Sequence, residues 1–110
     1  MATNDTIIRA PVDTAGQSAT FMVKDYPVRV SLYPVADLTA SEYADLQQED
    51  PAGTFGDVYE RITDASGAQV RMSSVVTDIM VIASGTYRLD FDNPTSAVGA
   101  YIREVRSTKS

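Results

Sequence analysis

The chain contains no cysteine, no histidine and no tryptophan. Without cysteine there can be no disulfide scaffold, no thiolate metal site and no Cys nucleophile. Without histidine the chain lacks the side chain best suited to acid–base work at neutral pH, and the commonest metal ligand. A Ser–His pair cannot form either. Basic residues are scarce: nine Lys and Arg stand against fifteen Asp and Glu, a net charge of −6. That balance opposes binding to nucleic acid or an anionic membrane, since both need a basic patch that displaces counterions. No apolar run is long enough to cross a bilayer; the longest, Ile79–Ala83, has the length of a strand. Met1–Asp5 has neither a basic start nor an apolar centre. No signal peptide is therefore expected, and the chain is expected to stay in the cytoplasm or in an assembly built there.

A chain of 110 residues with 44% apolar and 22% charged residues is expected to form one domain with a single core. Period-two alternation runs through most of it. In Gly85–Arg106, Tyr87, Leu89 and Phe91 alternate with Arg88, Asp90 and Asp92. Asp92-Asn93-Pro94-Thr95-Ser96 is a turn, because Pro fixes φ and lacks an N–H while Asn tolerates turn geometry. Val98, Ala100 and Ile102 then alternate with Gly99, Tyr101 and Arg103, so the segment is expected to be a β-hairpin with one greasy face. Upstream, Ala19–Asp25 and Pro27–Pro34 predict strands, and the pre-proline restriction at Tyr26 allows them to be one long bent strand. Asp57–Thr63 predicts a strand, Asp64-Ala65-Ser66-Gly67 a hairpin loop, and Ala68–Met72 its antiparallel return. Asp78–Ile82 is nearly all apolar, which predicts burial on both sides. The sum is about seven or eight short strands, an all-β antiparallel β-sandwich.

Two stretches carry alternatives. Residues 1–18 are polar apart from Ile7, Ile8 and Val12, and they form either a frayed terminus or an extended N-terminal arm that docks on a neighbour. Residues 42–48 fit a helix opened by the capping box Thr39-Ala40-Ser41-Glu42, with Leu38 and Tyr43 at staple spacing. They equally fit a strand, since Ala44 and Leu46 alternate with Tyr43, Asp45 and Gln47.

No catalytic constellation stands out, and no enzyme is expected. Glu42, Asp45, Glu49 and Asp50 could supply a carboxylate pair, but acids in a polar loop are ordinarily a solvated surface. Asp90, Asp92 and Asn93 offer oxygens at alternate positions for Ca²⁺; against this, Asx residues are the default chemistry of turns. No cofactor or metal is expected. Of the six tyrosines, Tyr33 and Tyr101 fall opposite the core side. Such residues suit a protein interface, or a sugar-stacking platform together with Tyr59. Arg29, Arg88, Arg103 and Arg106 alternate with acids and predict cross-strand ion pairs.

Three motifs occur in order: Leu38–Glu42 followed by Leu46-Gln47, then Gly85-Thr86-Tyr87-Arg88, then Thr95–Tyr101. In these the chain resembles the small β-sandwich head and decoration-type structural proteins of tailed bacteriophages, over residues 36–103. The resemblance implies a strand after Leu38 and a non-enzymatic virion component bound to a capsid or other virion protein. A homo-oligomer in the virion is then expected. Ile7, Ile8, Val12, Tyr33 and Tyr101 are its candidate assembly interface, with residues 19–106 as the sandwich and 107–110 as a tail. The alternative is a carbohydrate- or receptor-binding module displayed on a virion.

Overall fold

A computed structural model describes residues 5–34, 38, 43–60, 68–92, 94 and 96–106, with the side chains of 59, 60, 68 and 69 left out. Every regular element among them is a strand: β1 Thr6–Val12, β2 Gly16–Gln17, β3 Phe21–Val23, β4 Val28–Tyr33, β5 Tyr43–Glu49, β6 Phe55–Asp57, β7 Tyr59–Glu60, β8 Ala68–Gln69, β9 Arg71–Ser73, β10 Asp78–Val81, β11 Gly85–Asp92 and β12 Val98–Glu104. They form two antiparallel sheets, as the alternation predicts. Sheet A runs β1-β12-β4-β10. Sheet B is centred on β11 and β5, with β2 and β3 end to end on the far side of β11 and β6 and β9 end to end on the far side of β5. Counted as ribbons, each sheet has four, and β7-β8 is a separate two-stranded ear.

Alternation decides which side chains meet. Val28, Val30 and Leu32 of β4 and Val98 and Ala100 of β12 point inward from sheet A. Ala44 and Leu46 of β5, Met72 of β9 and Tyr87, Leu89 and Phe91 of β11 point inward from sheet B. All are buried, and each large one contributes about 1.5–3 kcal/mol by leaving water. Tyr87 stacks on Phe21 at 5.8 Å between ring centroids and donates its hydroxyl to the Ala83 carbonyl at 2.7 Å. The buried phenol thus keeps a partner.

The breaks in the outer ribbons of sheet B are chemically filled. Between β2 and β3, Ser18 stands in for a strand residue: its N–H donates to the Leu89 carbonyl and its Oγ accepts the Leu89 N–H at 2.9 Å. Between β6 and β9, the Val58 N–H donates to the Leu46 carbonyl and the Leu46 N–H donates to Val70. The chain leaves the sheet at Val58, makes the ear, and rejoins at Val70 in the same direction. Of the antiparallel return predicted for Ala68–Met72, Ala68 and Gln69 pair with Tyr59 and Glu60 as β8 on β7, whereas Arg71 and Met72 pair instead with β5 as part of β9. Its loop, Asp64–Gly67, lies outside the described residues.

Four expectations change. Gly85–Arg106 is no hairpin: β11 belongs to sheet B and β12 to sheet A. The chain passes from one sheet to the other between β11 and β12, so the two greasy faces look at each other. β3 and β4 likewise sit in different sheets, so Ala19–Pro34 is two strands around a corner. β10 is buried on one side only, being the last strand of sheet A, with Met80 48% and Ile82 73% exposed. Finally, residues 6–12 fold onto their own domain. β1 pairs with β12, and Ile8 enters the core at 7% exposure. In the ambiguous stretch, residues 43–48 take the strand reading, as part of β5 from Tyr43 to Glu49. Pairing on both flanks, with β11 and with β6 and β9, outweighs the local helix signals. The capping residues Thr39–Glu42 and the tail 107–110 lie outside the described residues.

Candidate functional site: the outer face of sheet A

Register places the candidate side chains. Residues directly opposite in an antiparallel pair share a face. Across the outer face of sheet A one rung reads Ile7, Tyr101, Ser31, Asp78 and the next reads Arg103, Arg29, Met80. Tyr33 faces Gly99 one step further along. Tyr33 and Tyr101 meet edge to face, 5.6 Å between centroids at 67°. Ile7 lies beside Tyr101, 47% exposed. Burial raises the Tyr33 hydroxyl above its ordinary pKa, so it stays neutral through the physiological range.

Of the five candidate interface residues, the structure brings three together: Ile7, Tyr33 and Tyr101. Ile8 does not join them. A one-residue step along a strand reverses the face, so Ile8 packs inside. Val12 lies at the far end of β1, opposite Val98, and is 39% exposed.

Two arginines stand directly opposite each other on this face, Arg103 and Arg29. Each has its own acid. Arg103 Nε donates to Asp5 Oδ1 at 2.6 Å, and the Asp5 side chain is only 3% exposed. Arg29 donates to Asp78 at 3.2 Å, and Ser31 also donates its hydroxyl to Asp78. Burial alone would raise the Asp78 pKa; the bonds from Ser31 and Arg29 and the Arg29 charge outweigh it, and Asp78 ends below its ordinary value. The face is therefore charge-balanced, with Ile7 and the tyrosine pair as its apolar part.

The outer face of sheet B is built differently. One rung reads Gln17, Asp90, Asp45, Arg71. Gln17 Nε2 donates to Asp90 at 2.9 Å, and Arg71 grips Asp45 through Nε at 2.6 Å and Nη2 at 3.2 Å. The Arg71 guanidinium also lies 4.0 Å over the Tyr43 ring, whose hydroxyl donates to Asp92 at 2.7 Å. The next rung chains Arg88 to Gln47 at 2.8 Å and Gln47 to Asp57 at 3.2 Å, with Arg88 over Phe55 at 4.1 Å.

The acids considered for chemistry are thus engaged. Asp45 is held by Arg71, and Asp90 and Asp92 accept from Gln17 and Tyr43. Asp50 accepts the N–H groups of Ala52 and Thr54 and closes a turn. Glu49 is exposed at the end of β5, and Glu42 and Asn93 lie outside the described residues. Among the described residues no three His, Cys, Asp or Glu side chains converge on one point. An open cleft of about 890 Å³ runs past Met22, Val28, Ile102 and Val105, and its three arginines, Arg29, Arg103 and Arg106, are all ion-paired. Tyr33, the last residue of β4, and Tyr101 sit on a sheet face, and the side chain of Tyr59, the third tyrosine of the sugar-platform reading, lies outside the described residues.

Two features escaped the sequence reading: the exposed apolar edge at Met80 and Ile82, and the Asp5–Arg103 pair. The first has a signal, since apolar residues on both parities also describe a half-covered edge strand. The second joins residues 98 positions apart and has none. No family model, no curated protein and no solved structure matches this chain.

Proposed function

We propose that this chain is a non-enzymatic structural protein of a tailed-phage virion, a decoration or cement protein that self-associates and binds the head shell through the outer face of sheet A. The observation that supports this reading is the convergence of Ile7, Tyr101 and Tyr33 on one charge-balanced sheet face. Aromatic and aliphatic anchors ringed by paired charges are what protein interfaces use. The likeness of Gly85–Arg88 and Thr95–Tyr101 to head proteins directs the partner to a capsid. On a symmetric shell, many copies of one small contact gain from avidity, so a modest patch suffices.

The test is co-sedimentation with heads of the virus that carries this chain. The wild-type chain is expected to travel with heads, and Ile7→Ser combined with Tyr101→Ser to remain in the supernatant while keeping its β-type circular dichroism. Equal binding by the folded double variant would remove the sheet A face from the proposal. No binding by the wild type to filled or emptied heads would remove the capsid itself.

A further inference from the structure

We infer that β10 is an assembly edge, through which two copies of this chain pair antiparallel about a two-fold axis at Met80, joining their four-stranded A sheets into one of eight strands. The inference stands apart from the virion reading. It starts from an asymmetry among the edges. An open edge strand is a template for another chain, and proteins blunt such edges with proline, irregularities and charge. The β1 edge carries Pro11 and two breaks of register, between Ile7 and Arg9 and between Arg9 and Val12. Both outer ribbons of sheet B are interrupted, one at Ser18–Thr20 and the other by the ear. β10 is the least blunted, its one charge, Asp78, being tied to Arg29 and Ser31. It pairs with β4 in unbroken register from Asp78 to Val81, and it has no proline, glycine or lysine. Among the described residues no strand lies beyond it.

Backbone geometry fixes what that edge offers. The Leu32 N–H donates to the Thr77 carbonyl. Hydrogen-bonded and non-bonded pairs alternate along an antiparallel ladder, so Ile79 and Val81 also bond inward to β4. The N–H and C=O groups of Asp78, Met80 and Ile82 then point outward. A two-fold at Met80 sets Met80 against its own copy and Asp78 against Ile82 of the other chain. All three outward residues meet outward residues, and each pairing can exchange backbone bonds.

Charge selects this register. Asp78 is the one charged residue in Asp78–Ile82, and Arg29 and Ser31 already hold it. A two-fold at Asp78 would oppose two carboxylates, which is destabilising. The Met80 register places each Asp78 beside an aliphatic side chain. Met80 and Ile82, 48% and 73% exposed, lose water in the process. Because each chain carries −6, repulsion between the copies opposes pairing, and salt relieves it.

The chain has no cysteine, so single-thiol variants report the register cleanly. Across a bonded antiparallel pair the Cα atoms are about 5.5 Å apart, inside the disulfide range of about 4.4–6.8 Å. Met80→Cys is therefore expected to cross-link into dimers under mild oxidation. Ile82→Cys is expected not to, because its copy lies four positions away, about 13 Å along the strand. By sedimentation equilibrium the wild type should be a dimer that tightens as salt rises. Met80→Pro removes an outward N–H and spares the bonds to β4; it should weaken the dimer about tenfold or more at unchanged circular dichroism. A wild type that stays monomeric over the whole concentration range overturns the inference. So does cross-linking through Ile82→Cys but not Met80→Cys, or an unweakened dimer in folded Met80→Pro.

Discussion

The two outer faces of the sandwich solve one electrostatic problem with opposite signs. Sheet B sets Asp45 directly across from Asp90; sheet A sets Arg103 directly across from Arg29. Like charges in that position repel, and in both sheets the remedy comes from outside the pair. On sheet B the remedy is local to the face. Arg71 and Gln17 on the flanking ribbons continue the same rung, and the polar chains through Tyr43 and Gln47 fill the space on either side. On sheet A it comes from the edges, from Asp5 just before β1 and from Asp78 on β10. That leaves Ile7 exposed and the half-buried Tyr33–Tyr101 pair at the surface for whatever the protein meets. A face whose side chains satisfy one another stabilises the fold. A face whose charges are tied off at its edges keeps its middle for contact.

The comparison can be broken in order of effect. The largest change should come from Gly99→Val. A Cβ at Gly99 would overlap the Arg9 carbonyl and come within 2.8 Å of the Pro11 nitrogen, both backbone atoms that cannot step aside. β1 should lift off β12, with a loss of about 3 kcal/mol or more in a urea melt, taking Ile7 and Ile8 with it. Arg71→Ala should come next. It leaves the Asp45 carboxylate, 12% exposed, opposite Asp90 with its cation gone. Because Arg71 itself is 44% exposed, water offsets part of the loss, and about 1–2 kcal/mol is expected in the same melt. Ile7→Ser tests the other face. Its side chain is half in water, so stability should change by only about 0.5 kcal/mol, while co-sedimentation with heads should weaken. If Arg71→Ala impaired association and Ile7→Ser impaired folding, the contrast between the faces would collapse.

The smallest effects are in pH. Asp78 ionises below its ordinary value of 3.8 in the folded chain, so its charged form favours the fold above that value. The contribution fades as pH falls through the lower folded value, and Asp78→Asn should flatten that acid limb of a stability profile. Tyr87 behaves in the opposite sense. Burial raises it above 10.0, so its neutral form favours the fold at lower pH, and that contribution is lost as pH climbs through the raised value. Tyr87→Phe should flatten the alkaline limb.

Much of this was legible in the chain. Period-two patterning marks β4, β11 and β12 and assigns their inner and outer residues, because side-chain direction in a strand depends only on parity. It therefore put Tyr33 and Tyr101 on the outside and Leu89 and Ala100 on the inside, where they are found. The absence of Cys, His and Trp was equally plain, and it narrows the chemistry whatever the fold. Parity cannot say which strand lies next to which. The chain crosses between sheets at β1–β2, β3–β4, β4–β5, β9–β10, β10–β11 and β11–β12, so most neighbours in sequence are not neighbours in a sheet. That is why a pattern fit for a hairpin at 85–106 became two strands facing across a core. Tertiary structure alone joined Asp5 to Arg103, drew Ile8 inward beside an exposed Ile7, and left β10, among the described residues, with one unpaired edge. Each of these depends on contacts between distant residues, whose cost in chain entropy is repaid only when the whole core closes.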